Sequence, residues 1–168
     1  NVKPDIVGSI TDMSAVARAS FDAVYSSHNI EHLYPHEVAL AVREFARVLR
    51  PDGFLMITCP DLQSVAAKVA EGNLTEAIYN SAVGEISPID VIYGFRRDLA
   101  DGNYWMAHKT GFTQRTLSEC LIENGFAKVS VVRHIKVFAL AGLAYREQNP
   151  NVVNIDALGE HATGFPSI

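Results

Sequence analysis

The sequence has no Gly-x-Gly-x-Gly and no other glycine-rich run that would let a backbone approach a phosphate without a Cβ in the way. That disfavours an ordinary nucleotide-using Rossmann enzyme. Clustered basic charge is also missing. Arg96-Arg97 is the only adjacent basic pair and the formal net charge is -5, so a nucleic-acid backbone is not expected as a partner. No apolar run approaches the roughly 20 residues that span a bilayer, and Asn1 opens no basic stretch followed by an apolar one. No membrane partner is expected. Cysteine is scarce: Cys59 and Cys120 stand far apart in apolar surroundings, which excludes a disulfide framework and reads as reduced thiols of a cytoplasmic protein. Asn1 stands where an initiator Met would, so a leading segment is expected to have been removed or left out.

What is present suits one globular domain: 168 residues, 48% of them apolar and 20% charged. Residues 5–10 contain a short apolar run stopped by Gly8-Ser9 and read as a buried strand. Residues 21–27 read as a second strand, ending in polar Ser26-Ser27-His28-Asn29. From Pro35 to Arg50, Val38, Val42, Phe45 and Leu49 recur at steps of four, three and four, the stripe of an amphipathic helix. Pro35 suits its first position, Arg47 and Arg50 its last turn, and Pro51-Asp52-Gly53 its stop. Residues 54–59 are almost unbroken apolar sequence, as a central parallel strand covered on both faces requires. Strand, helix and strand with short joints make a βαβ unit, so a doubly wound α/β sheet is the expected class.

Beyond it, residues 62–71 read as a helix with Gly72 past its end, and 74–79 as a short third helix. Residues 84–113 show no sustained period and read as a long surface insertion of the functional or disordered kind. Residues 116–124 read as a helix capped by Gly125, 129–132 and 137–140 as two final strands, and 148–168 as a loosely ordered tail.

Three stretches carry a resemblance: Phe21-Asp22-Ala23-Val24-Tyr25 running to Glu31-His32-Leu33, then Glu44-Phe45-Ala46-Arg47-Val48-Leu49-Arg50-Pro51-Asp52-Gly53, and last His108, Phe112 and Gly125-Phe126. Together they resemble the class I S-adenosylmethionine (SAM)-dependent methyltransferases, especially the type 11 group. The middle stretch is the most specific and departs from the family's Pro-Gly-Gly only at Asp52. The resemblance implies a Rossmann-like, doubly wound and mainly parallel α/β sheet, cut short at its N-terminal side with the first two strands and the glycine-rich loop absent. Residues 1–147 would form a partial methyltransferase domain with an insertion at 84–113. It implies SAM as cofactor and a small-molecule or sugar-like acceptor, with this chain only part of the enzyme. The rival reading is a non-catalytic methyltransferase-like module or partner subunit.

The resemblance places Ser26, Ser27 and His28 against the methionine end of SAM, in keeping with ligands lying outside the carboxyl ends of strands. Ser9, Ile10 and Asp12 fall where the family binds adenine, its acidic residue divided between Ser9 and Asp12. His28 is the first candidate for a catalytic base and His108 the second. Glu31-His32 is an acid/base pair or a loop-ordering element. His28, His32 and His36 are four apart, as metal ligands on one helix would be, but Pro35 interrupts such a helix and no metal is expected. Arg96, Arg97, Tyr104, Trp105, His108 and Lys109 either grip a substrate or form a solvated loop. Cys59 reads as an inert core thiol. With its neighbouring strands missing, the strand at 5–10 is expected to pair at an exposed edge, and a homodimer follows.

Overall fold

A computed structural model describes residues 3–147. The run at 21–27 forms strand β1 (Phe21–Ser27), and the stripe of Val38, Val42 and Phe45 forms helix α1 (Pro35–Val48). Pro35 occupies the first turn of α1, and the Glu37 carboxylate accepts the Tyr34 N–H at 2.8 Å. The helix ends two residues before Arg50, because Leu49 turns extended and opens strand β2 (Leu49–Pro60). Arg50 therefore leaves the helix and pairs with Asp22 on β1.

β1 and β2 run parallel, with Val24 opposite Leu55 and Ser26 opposite Ile57. Helix α2 (Leu62–Ala70) follows, started by Asp61, whose side chain accepts the Gln63 and Ser64 N–H groups. Helix α5 (Gln114–Glu123) is capped by Thr113 and ends before Gly125, whose φ of 114° no L side chain favours. It leads to β5 (Lys128–His134) and β6 (Ala139–Tyr145). The last strand starts at Ala139, not Val137, because residues 135–138 supply the turn of the hairpin.

The sheet order is β1-β2-β6-β5, with β6 antiparallel to both neighbours. The sheet is thus mixed: β1, β2 and β5 point one way and β6 the other, within the expected Rossmann-like α/β class. Val38, Val42 and Phe45 of α1, Leu55, Ile57 and Cys59 of β2, Leu117 and Leu121 of α5, Val131, Leu140 and Ala144 form one buried core. Gly142 of β6 sits opposite Ile57, where a Cβ would lie 2.9 Å from its methyl.

Two expectations fail. Residues 5–10 form no strand; exposed Val7 and Ser9 offer little burial, and the only pairing is a bridge from Ser9 to Asp12. A short apolar run joins a sheet only where a strand lies beside it, and among the described residues no strand pairs with residues 5–10. Residues 74–79 form no helix either: Tyr79 opens β3 (Tyr79–Ser81), which pairs with β4 (Gly84–Ile86). Residues 84–113 hold β4, α3 (Pro88–Tyr93), α4 (Arg96–Ala100) and a turn of 3-10 helix (Tyr104–Met106). A small second core of Val65, Ile86 and Val91 packs them against α2. The expected tail at 148–168 lies outside the described residues. No helix among the described residues is long and apolar enough to cross a membrane.

Candidate functional site at the tip of the first strand

Because β1 and β2 are parallel and adjacent, the residues after Ser26 emerge at the carboxyl ends of the strands, where open α/β sheets place their ligands. Ser27 Oγ accepts a hydrogen bond from Thr58 at 2.9 Å, and the His28 N–H reaches the Thr58 carbonyl at 3.0 Å. Ser26 is buried, and its Oγ has no hydrogen-bond partner among the described residues. His28 takes a φ of 45°, a left-handed conformation that a non-glycine residue adopts only where its surroundings hold it, often at functional sites.

The chain then makes a 3-10 turn over Ile30–His32, which drives Glu31 inside to 0% exposure. His28 Nδ1 lies 3.2 Å from Glu31 Oε1, an ion-pair distance. The alignment is not that of a hydrogen bond, so neither Glu31 oxygen has a donor.

The segment after Met106 closes over this turn. The Lys109 and Thr110 N–H groups both donate to the Glu31 carbonyl, at 2.8 and 3.2 Å. The Lys109 ammonium donates to the His32 carbonyl at 2.9 Å and stands 5.0 Å from the centre of the Tyr34 ring. His32 Nδ1 meets the Ala107 carbonyl at 3.2 Å, and His108 Nδ1 meets the Val91 carbonyl at 2.7 Å. A carbonyl only accepts, so each Nδ1 carries a proton, and in a neutral ring Nε2 is then the lone pair. The two rings meet edge to face at 4.9 Å. One potential ligand atom from each of Glu31, His32 and His108 falls within 4.8 Å of the others. Burial lowers the His108 pKa, against the opposing pull of the Val91 carbonyl and the Glu31 charge, which keeps the ring neutral at neutral pH.

The adenine-side candidates sit on a separate exposed turn. Ser9 Oγ bonds Thr11 Oγ1 at 2.7 Å, Asp12 Oδ1 accepts the Ser14 N–H at 3.0 Å, and Ile10 packs partly against the core. What fixes this turn was not foreseen. Glu44 Oε2 accepts the Met13 N–H at 2.7 Å, while Arg47 donates to the carbonyls of Met13 and Val16 at 2.6 and 2.8 Å. Hydrogen bonds from Arg47 hold the Glu44 carboxyl below its usual range, despite partial burial. The Glu-x-x-Arg pair inside the most specific stretch was the signal: three residues apart on α1, both side chains reach the same loop.

Other candidates resolve differently. His36 lies exposed on α1, stacked on Tyr34 at 5.9 Å, apart from the His28 and His32 pattern that suggested it. Arg96 is bound to buried Asp90, and Arg97 lies over the Phe95 ring. Tyr104 and Trp105 are exposed. Cys59 is fully buried, and desolvation, with the nearby Glu31 and Asp61 charges, pushes its thiol pKa well up, as an inert core thiol requires.

This strand order and tip geometry define a Rossmann-like methyltransferase fold. The chain matches the family described as Methyltransferase domain over residues 1–57. No curated protein matches it. Among solved structures it is similar to a SAM-dependent methyltransferase from Methanosarcina mazei (TM-score 0.55, 15% identity, 86% of this chain and 67% of that one). It is also similar to a SAM-dependent methyltransferase from Thermotoga maritima (TM-score 0.54, 14% identity, 83% and 62%). A third similarity is to the CMeT domain of the citrinin polyketide synthase (TM-score 0.53, 16% identity, 86% and 32%). The chain thus spans 32% and 62% of the length of two of these structures. The sequence match reaches residues 1–57, and beyond them the likeness to SAM-dependent methyltransferases is one of fold.

Proposed function

We propose that the chain forms the acceptor-side part of an enzyme that transfers a methyl group from SAM to a small-molecule or sugar-like nucleophile. The observation that carries this reading is the parallel pairing of β1 with β2, which presents Ser26, Ser27 and His28 at the strand tips. The residues fit the cofactor's methionine end: Ser26 Oγ is a buried polar atom without a partner, the kind of group a polar ligand satisfies. Ser9, Ile10 and Asp12 border the adenine end, on the turn that Glu44 and Arg47 hold. Bound there, SAM supplies an activated methyl group on a sulfonium.

The protein's share is alignment, plus removal of one proton from the acceptor. His28 and His108 are the groups placed to take that proton, His108 at its free Nε2. The sequence has no Gly-x-Gly-x-Gly, which favours this chain's being part of the enzyme. The open edge of β1, with Phe21 and Tyr25 exposed, is where a second copy would add in a homodimer. The free thiols of Cys59 and Cys120 suit a cytoplasmic setting.

Calorimetric titration of SAM into this chain and into the full-length gene product tests the reading. Saturable heat with the full-length product is expected; no heat with either overturns it. A monodisperse monomer in light scattering removes the homodimer.

A further inference from the structure

We propose that Glu31, His32 and His108 form a three-ligand site for a divalent cation of the zinc or cobalt type. The argument starts from the carboxylate. Glu31 is 0% exposed, both its oxygens lack a hydrogen-bond donor, and a buried acceptor pair in that condition calls for a cation. His28 Nδ1 stands 3.2 Å from one Glu31 oxygen but makes no hydrogen bond to it, and the Lys109 ammonium is engaged by the His32 carbonyl and the Tyr34 ring.

The two imidazoles supply the second observation. Each donates its Nδ1–H to a backbone carbonyl, Ala107 for His32 and Val91 for His108. That is the outer-shell arrangement that orients metal-bound histidines and leaves Nε2 as the ligand lone pair. Two imidazole nitrogens and a carboxylate brought this close together suit a divalent cation. Two histidines and one carboxylate are the donor set of catalytic zinc sites, which keep a further position open.

The ligand atoms spread over 4.8 Å, so they would draw together by about an ångström on an ion whose bonds are about 2.1 Å long. His28, 3.2 Å from Glu31 and partly exposed, stands beside this trio. The open coordination position would face an acceptor bearing oxygen or nitrogen, and bind it before methylation.

The test is titration of Co2+ into chelator-treated chain, read by visible d–d absorption, without SAM. Saturation at one ion per chain is expected, with affinity weakened about 100-fold in Glu31→Gln and in His108→Gln and unchanged in exposed His36→Gln. Circular dichroism melting of each variant establishes that it is folded, and either ligand variant alone suffices. No saturable spectrum with the parent chain overturns the proposal, as does equal affinity in folded ligand variants. SAM titration is independent of this readout, so either reading can fail without the other.

Discussion

Three carboxylates are buried among the described residues, and they are not alike. Asp61 accepts from the Gln63 and Ser64 backbone, the Ser64 hydroxyl at 2.6 Å and Arg133 Nε at 2.7 Å. Asp90 accepts from Ser87 and from Arg96 Nε at 2.7 Å. Glu31 accepts no hydrogen bond at its carboxylate and has the His28 imidazole 3.2 Å away. The first two staple structure: Asp61 starts α2 and ties it to β5, and Asp90 closes α3 onto α4. The third is held in place by its own backbone, through the N–H groups of Lys109 and Thr110, and its carboxylate is left without hydrogen-bond donors among the described residues. A fold that satisfies two acids fully and leaves the third bare at the strand tips separates support from chemistry by the number of donors each acid receives.

The largest test of that division is Asp61→Ala, which strands Arg133 and uncaps α2. A loss of about 3 kcal/mol in denaturant unfolding is expected, and a loss below about 1 kcal/mol would break the contrast. Asp90→Asn comes next. Burial alone would raise the Asp90 pKa, but the hydrogen bonds from Arg96 and Ser87 outweigh it and bring it from 3.8 to about 2. A carboxyl depressed in the folded state adds stability that is present above its unfolded pKa and lost as pH falls toward about 2. The substitution should therefore cost about 2 kcal/mol at neutral pH and progressively less below pH ~4. An unchanged difference between neutral pH and pH ~2.5 in urea melts would count against the assignment.

Glu31→Gln should behave in the opposite way, staying within about 0.5 kcal/mol of the parent because no hydrogen-bond donor loses its partner and the His28 contact is partly exposed. A cost near that of Asp61→Ala would erase the distinction between the three acids. The smallest effect sharpens the same line: His28→Gly relieves a left-handed φ and should stabilise by about 0.5 kcal/mol while methyl transfer falls. A stabilised variant with full activity would remove His28 from the proton-transfer role.

Much of this fold was legible because its signals are local. Val38, Val42 and Phe45 mark the buried stripe of α1 and Pro35 its start, while the helix ends two residues before the expected Arg50. The apolar run at 54–59 marks β2, and polar residues after Tyr25 mark the strand tip. Residues 5–10 carried a similar apolar signal with no neighbouring strand to realise it. Strands β3 and β4, at three residues each, are too short for any period to show.

The candidate site was half visible. His28 and His108 stood out by position, but the spacing of His28, His32 and His36 pointed to a set that the start of α1 at Pro35 takes apart. The partner of His32 is His108, 76 positions along, and only the packing of 107–110 against the turn at 30–32 brings them together. Nor does sequence reveal that the carboxylate of Glu31 lacks donors, since that is a fact about three-dimensional neighbours.

The Lys109 staple has a kinetic corollary. It joins residues 77 apart, across the whole of β2, α2, α3 and α4, whereas α1 and the β1–β2 pairing close much shorter loops. Closing the longer loop is slower and depends on the intervening elements having folded. During refolding, helical circular dichroism should therefore return before cobalt absorbance does.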